Sequence, residues 1–353
     1  MSHTEILRDV PSDMEGLCDV FVRTDRAYPR ILQLTDMQII DAEGRRTPDR
    51  ISEEKISLWS PERMDANYFS HVRDLVAQSE PDLILLTGDI VYGEFDDTGR
   101  VLRRLIAEMD SLGIPWAPVF GNHDNEAKIG VEAQCALLEA GKNCLFRRGN
   151  TVGYGNYTVG ILSGDRLCRV LYLLDSHGCR NSSEEAVKSL STGIHEEQGQ
   201  WMENVAKRLR ERFGASVPGF AAYHIPTREF VEASVAAGYG DEHATYTLGA
   251  DLPARAGDFG GKWERMKGYP SPDRFAERLL AMNVRGVFVG HCHCIQTSIG
   301  YKGIRWTFGL KTGIYDYYSN GQLGGTLIEE RGAGDFSVRH LPTLVTYPAP
   351  LPV

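Results

Sequence analysis

Short apolar runs alternate along this chain with stretches whose apolar positions recur every three or four residues. Arg30 to Thr35 (RILQLT) and Leu83 to Thr87 (LILLT) have the length and apolarity of buried strands, whereas Tyr68, Val72, Leu75 and Val76, and later Leu102, Leu105, Ile106 and Met109, have helical spacing. The alternation continues through strands at Ala117 to Phe120 and Arg169 to Leu174, a helix carrying Trp201, Val205 and Leu209, and strands at Gly219 to Tyr223 and Gly286 to Val289. Such an order predicts an α/β domain. Towards the C-terminus, Ile304 to Phe308, Gly325 to Glu330 and Phe336 to Leu341 read as strands joined by Gly-rich turns, which predicts a second, more antiparallel sheet there. Ala236 to Pro272 is long, Gly-rich and weakly periodic, the mark of a functional or mobile loop. No repeat or linker divides the chain, so the pattern predicts one domain over residues 30–341, an N-terminal extension over 1–29 packing on it, and a C-terminal tail over 342–353.

Composition narrows the classes open to that domain. With 353 residues, 42% of them hydrophobic, the chain can bury a full core. Its 38 basic and 48 acidic side chains give a net charge of −10, which argues against a nucleic-acid partner or an anionic membrane surface. No apolar stretch approaches the roughly 20 residues needed to span a bilayer, and the first residues lack both a basic start and an apolar run. Seven scattered cysteines, an odd number, fit reduced thiols better than a disulfide framework. The expectation is a cytoplasmic protein.

Metal-type side chains gather directly after the predicted strands, where open α/β sheets place their ligands. They are TDMQ with Asp36 and Gln38, TGDIVYGE with Asp89 and Tyr92, FGNHDNE with Asn122, His123 and Asp124, YHIP with His224, and VGHCHC with His291 and His293. Carboxylates, an amide oxygen and imidazoles form a mixed O/N set suited to Fe, Mn or Zn. A carboxylate such as Asp89 can give one oxygen to each of two cations held roughly 3.5–4 Å apart, the spacing used in two-metal phosphoester chemistry. A leaving alkoxide needs a proton, which His123, flanked by Asp124, could supply. Cys292 and Cys294 alternate with His291 and His293 in an extended stretch, so the thiols should face away from the site. His71 and His340 read as structural, His177 and His195 as rim residues. Arg45, Arg46, Lys262, Lys267 and Lys311 read mostly as solvated surface, with one or two of them free to meet a substrate phosphate.

The motif order Asp36-x-Gln38, GDIV at 88–91, GNHD at 121–124, the lone His224 and GHCH at 290–293 resembles the calcineurin-like metallophosphoesterase family, over roughly residues 30 to 330. YLLDS at 172–176 and GIHEEQGQW at 193–201 look like its purple acid phosphatase-like intracellular branch. The resemblance implies a four-layer α/β/β/α sandwich with a dinuclear centre at one edge. It assigns Asp36, Asp89 and His293 to a first metal, Asp89, Asn122, His224 and His291 to a second, and His123 to phosphate contact and general acid catalysis. The family's first-motif His is Gln38 here, and Tyr92, in the GDxxY position of purple acid phosphatases, is a candidate Fe(III) ligand in its place. The activity implied is hydrolysis of phosphomonoesters, or of phosphodiesters, by attack of a metal-bridging hydroxide, with two metal ions (Fe with Fe, Mn or Zn) as cofactors and a phosphate ester as the partner. The alternative is a catalytically weak pseudophosphatase acting as a protein-binding scaffold, supported by Gln38.

Overall fold

The computed structural model describes residues 3–41, 68–179, 184–247, 255–314, 316 and 323–343. Two β-sheets dominate. One has five strands in the order β15-β14-β3-β4-β5, formed by Asp335–Pro342, Gly324–Gly332, Arg30–Leu34, Leu83–Thr87 and Trp116–Val119. The other has eight, in the order β1-β2-β6-β7-β8-β11-β13-β12: Thr4–Ile6, Val20–Thr24, Tyr157–Ser163, Arg166–Leu173, Gly219–Ala222, Val284–Val289, Ile304–Phe308 and Ser298–Tyr301. In the first sheet β3, β4 and β5 are parallel; in the second β7, β8, β11 and β13 are parallel. All of these strands therefore end on the same side of their own sheet, where their following loops meet.

The period of two along each inner strand explains the layering. On β7, Leu171 and Leu173 face a core shared with Ile31, Leu85 and Leu327 of the other sheet, while Val170 and Tyr172 face Met202, Val205 and Leu209 of the helix Glu196–Phe213. Helices Arg228–Ala236 and Phe275–Ala281 cover the same outer face through Phe230, Phe275 and Leu279. Helices Ser70–Ser79, Arg100–Ser111 and Val131–Glu139 supply Val72, Leu75, Leu102, Leu105 and Leu138 to the core of the five-stranded sheet. The result is the expected α/β/β/α sandwich. Among the described residues no helix is long and apolar enough to cross a membrane.

Three features depart from the sequence pattern. The C-terminal strands do not form a sheet of their own: β12 and β13 extend the eight-stranded sheet, and β14 and β15 complete the five-stranded one. The N-terminal stretch packs on the domain by joining it, since β1 and β2 pair with each other and β2 runs parallel to β6. In the Gly-rich segment after Ala236, strands β9 (Tyr246–Thr247) and β10 (Gly261–Lys262) pair antiparallel. Lys262 is buried there rather than solvated, its Nζ donating to the carbonyls of Asp241, Glu242 and Ala244. Arg45 and Arg46, and the tail from residue 344 onward, lie outside the described residues.

Candidate metal centre

The strand ends place the motif residues around one point. Asp36 follows β3, Asp89 follows β4, Asn122 and His123 follow β5, His224 follows β8, and His291 and His293 follow β11. Asp36, Gln38, Asp89 and His291 all take positive φ, at 49°, 49°, 49° and 73°. Non-glycine residues hold that conformation only where the surroundings over-determine it, and such residues cluster at functional sites. The motif glycines allow close approach: a Cβ on Gly88 would sit 2.6 Å from the His224 ring, and one on Gly290 2.6 Å from Asp36 Oδ2.

Asp36, Asp89 and His224 each offer one donor atom, and the three atoms lie within 4.8 Å of one another. Asp89 divides its oxygens: Oδ1 accepts from the His123 backbone N–H at 2.8 Å, and Oδ2 faces His224 Nε2 at 3.2 Å. His224 Nδ1 donates to the Thr87 carbonyl at 2.8 Å, which fixes the ring with Nε2 pointing at the carboxylates. That buried Nε2 lies against the Asp89 carboxylate without a well-aligned hydrogen bond. A backbone-tethered imidazole with its other nitrogen left for a cation is the arrangement expected of a metal ligand, so the residues present fit a metal ion. Asp36 accepts from the His291 backbone N–H and from Thr35 Oγ1, and its Oδ1 lies 3.4 Å from His293 Nε2. The His291 Nδ1 and Asn122 Oδ1 atoms are 3.0 Å apart.

Electrostatics reinforce the geometry. Burial opposes ionisation of Asp36, but the hydrogen bond to His293 and the charges of His224, His293 and Lys311 hold its pKa at about 2. Burial likewise opposes ionisation of Asp89, and the neighbouring His224 and His123 outweigh it, keeping this carboxyl well below its usual range. Burial disfavours a charged His224, yet Asp89 and then Asp36 raise its pKa to about 9. Burial and the His224 charge press His291 down to about 3, leaving it neutral. Two ionised carboxylates beside an imidazole drawn towards its cationic form make a site selective for positive charge, which a metal ion supplies in exchange for protons.

Around this point the structure redistributes the roles read from sequence. Asp124 does not support the His123 ring. Its carboxylate accepts from the backbone N–H groups of Gly121, Ile90 and Val91 at 2.7, 3.2 and 2.9 Å, tying the β4 and β5 loops together. Glu126, which the sequence reading missed, meets His123 Nδ1 at 2.7 Å, because the 3₁₀ turn Asp124–Glu126 folds it back. Tyr92 stacks on the His123 ring, with centroids 4.3 Å apart and planes inclined by 28°.

Lys311, expected on the solvated surface, is buried in the centre and donates to Gln38 Oε1 at 2.6 Å and to the Asp36 carbonyl at 2.9 Å. Burial lowers its pKa, with Asp36, Asp316 and Asp89 acting against that. Its sequence signal was the same as that of the other site residues, a polar group just past the parallel strand β13, flanked by glycines in GLKTG. Lys267 is exposed, with its ammonium 4.5 Å from the centroid of Tyr269, whose ring meets His291 edge-on. His177 is buried against Asp175 rather than at the rim, and His195 opens the helix Glu196–Phe213, its backbone N–H bonded to Gln198. Cys292 and Cys294 are buried, as is His71 on its helix.

Comparison with known proteins identifies the family and the fold. The calcineurin-like phosphoesterase model matches residues 29–294. The chain is similar to probable inactive purple acid phosphatase 14 of Arabidopsis thaliana, with 26% identity over 84% of this chain and 72% of that protein. It is also similar to probable inactive purple acid phosphatase 29 of the same plant, with 24% identity over 84% of this chain and 74% of that protein. A dimetal phosphatase from Danio rerio shares the fold, with a TM-score of 0.52 and 14% identity over 90% of this chain and 96% of that one. By its motifs, its layered architecture and its family match, this chain belongs to the calcineurin-like phosphoesterases and is related to the purple acid phosphatase-like proteins.

Proposed function

We propose that this protein is a metal-dependent phosphoesterase of low turnover, taking phosphomonoesters in preference to diesters. The observation that carries the reading is the convergence of Asp36, Asp89 and the Nε2 of His224 on one point. Asn122, His291 and His293 complete the surroundings of the ion, for which the O/N donor set suits Fe, Mn or Zn. When bound, such an ion neutralises phosphate oxygens and lowers the pKa of coordinated water. His123 is the proton donor to the leaving alkoxide. Glu126 at 2.7 Å stabilises its imidazolium form, and Tyr92 holds its plane. Burial disfavours the charged ring, but Asp89 and Glu126 raise its pKa to about 8, so the donor form persists at neutral pH. Asp124 is a positioning residue. The seven cysteines, none of them in a disulfide among the described residues, support a reducing, cytoplasmic location.

Low turnover is the reading favoured by Gln38 in place of the first-motif His, and two relatives bear names that mark them as probably inactive. The retained His123–Glu126 pair favours a second reading, a fully active hydrolase, because a scaffold has no use for a leaving-group acid. Hydrolysis of p-nitrophenyl phosphate by the metal-loaded protein separates them. The proposal expects chelator-sensitive turnover well below the roughly 10 s⁻¹ typical of enzymes. Turnover at or above that level selects the second reading, and turnover that survives complete chelation contradicts both. A Tyr92-dependent purple colour on loading with iron would return Tyr92 to the ligand set.

A further inference from the structure

We propose that the buried ammonium of Lys311 is a built-in cation of this centre, fixing the Gln38 amide so that the protein holds one metal ion rather than two. The inference rests on the metal-binding reading above and deepens it. A lysine ammonium has three donors and no acceptor, so the Gln38 atom 2.6 Å from Lys311 Nζ must be the carbonyl oxygen. The amide NH₂ then points the other way, 3.4 Å from Asp89 Oδ2 and 3.3 Å from His293 Nε2. Asp89 and His293, two of the three residues that the family resemblance gives to a first metal, therefore meet an N–H donor where that pattern has an imidazole lone pair. An amide nitrogen has no lone pair to give a cation.

Turning the amide over would free its oxygen, but would set NH₂ against the ammonium in a pocket where Lys311 is only 2% exposed. Leaving buried donors facing each other is strongly unfavourable. The backbone that carries the lysine cannot simply move aside. Its neighbours are bonded to the β3 end, Thr312 N–H to the Thr35 carbonyl at 2.8 Å and Gly313 N–H to the Asp36 carbonyl at 3.1 Å, while Thr312 Oγ1 accepts from the Thr35 N–H. Gly313 has room only for hydrogen, since a Cβ there would sit 2.6 Å from the Asp36 carbonyl oxygen. Charge points the same way. Lys311 already neutralises half of what Asp36 and Asp89 bring, and a second ion would add positive charge beside the ammonium, with Asp316, 3.7 Å from His293 Nδ1, as the further carboxylate at this point among the described residues.

Gln38→Glu tests this with the fold preserved, because one carboxylate oxygen keeps the Lys311 bond and the other replaces the NH₂ with a metal donor. The wild-type and variant holoproteins are loaded with Mn²⁺, and bound metal is counted by elemental analysis and examined by electron paramagnetic resonance. The expected result is one ion per wild-type chain with the spectrum of an isolated Mn²⁺, and two ions with an exchange-coupled spectrum in Gln38→Glu. Lys311→Met, which releases the amide, should also gain a second ion, at least tenfold more weakly. Two coupled ions in the wild type would overturn this inference and leave the metal-binding reading standing. No bound ion in the wild type would overturn both. One ion in the wild type and in Gln38→Glu alike would remove the Lys311–Gln38 pair as the closing element.

Discussion

Replacing Glu330 by Ala should destabilise the protein by about 3–5 kcal/mol, because it leaves a buried guanidinium without its counter-charge. Arg169 on β7 and Glu330 on β14 join the two sheets across their shared core, with Nε to Oε1 at 2.6 Å and Nη2 to Oε2 at 2.8 Å. The Arg169 side chain is 0% exposed and that of Glu330 7%, and the guanidinium lies 3.9 Å over the Phe220 ring. Without the carboxylate, Arg169 keeps only a 3.2 Å bond to the Gly334 carbonyl, and its Nη1 already has no hydrogen-bond partner among the described residues. Two charge-assisted bonds are lost at roughly 1.5–3 kcal/mol each, a large fraction of the 5–15 kcal/mol that holds a typical fold. Urea denaturation followed by circular dichroism reads the loss as a lowered midpoint. The double replacement Arg169→Met with Glu330→Leu should recover it, since apolar packing of similar volume removes the uncompensated charge. A cost below about 1 kcal/mol for Glu330→Ala, or a double variant as unstable as the single one, would refute the argument.

His123→Ala should keep its metal but lose roughly 10²–10⁴ in turnover on alkyl phosphates, and much less on p-nitrophenyl phosphate, whose leaving group needs no proton; equal losses on both would remove the general-acid role. Gly290→Ala, whose methyl would press on Thr35 Oγ1 and Asp36 Oδ2, should weaken metal affinity at least tenfold at a stability cost of about 1–3 kcal/mol, as isothermal titration and thermal melts would show. His340 should make stability pH-dependent. Its Nε2 donates to the Gln296 carbonyl at 2.9 Å and its Nδ1 faces Thr326 Oγ1 at 2.9 Å, and burial pushes its pKa down to about 4 from 6.5. The neutral ring is favoured in the fold, so its contribution is complete above pH 6.5 and is lost as pH falls to 4, by about 2–3 kcal/mol. His340→Gln, which can make both bonds without titrating, should flatten that part of the denaturation-midpoint profile, and an unchanged slope would exclude His340 as its source.

What the sequence made legible follows from local physics. Strands such as Leu83–Thr87 are apolar runs that end in a motif, so both the element and its chemistry could be read from a few adjacent residues. Pairing could not. β2 owes its place to β6, with Val20 opposite Val159, and nothing near either segment announces a partner so far along the chain. The same limit hid the division of the C-terminal strands between two sheets, since hydropathy marks a strand as buried without saying which sheet buries it. In the site, the sequence shows Asp124 next to His123 in the chain, but only the 3₁₀ turn brings Glu126 to the His123 ring. Lys311 was read as surface for a related reason: a lysine is taken as solvated unless its burial is known, and its partners Asp36 and Gln38 stand at the other end of the chain.

The central claim, that Asp36, Asp89 and His224 form a cation site, is tested most directly by the metal content of purified protein after loading with Mn²⁺, Zn²⁺ or Fe²⁺ and desalting. The account predicts tightly retained metal in the wild type and its near-complete loss in a folded Asp89→Ala variant, because Asp89 Oδ2 and His224 Nε2 face each other at 3.2 Å across the point where the ion would sit. Wild-type protein that retains no metal, or an Asp89→Ala variant that retains as much as the wild type, would contradict it.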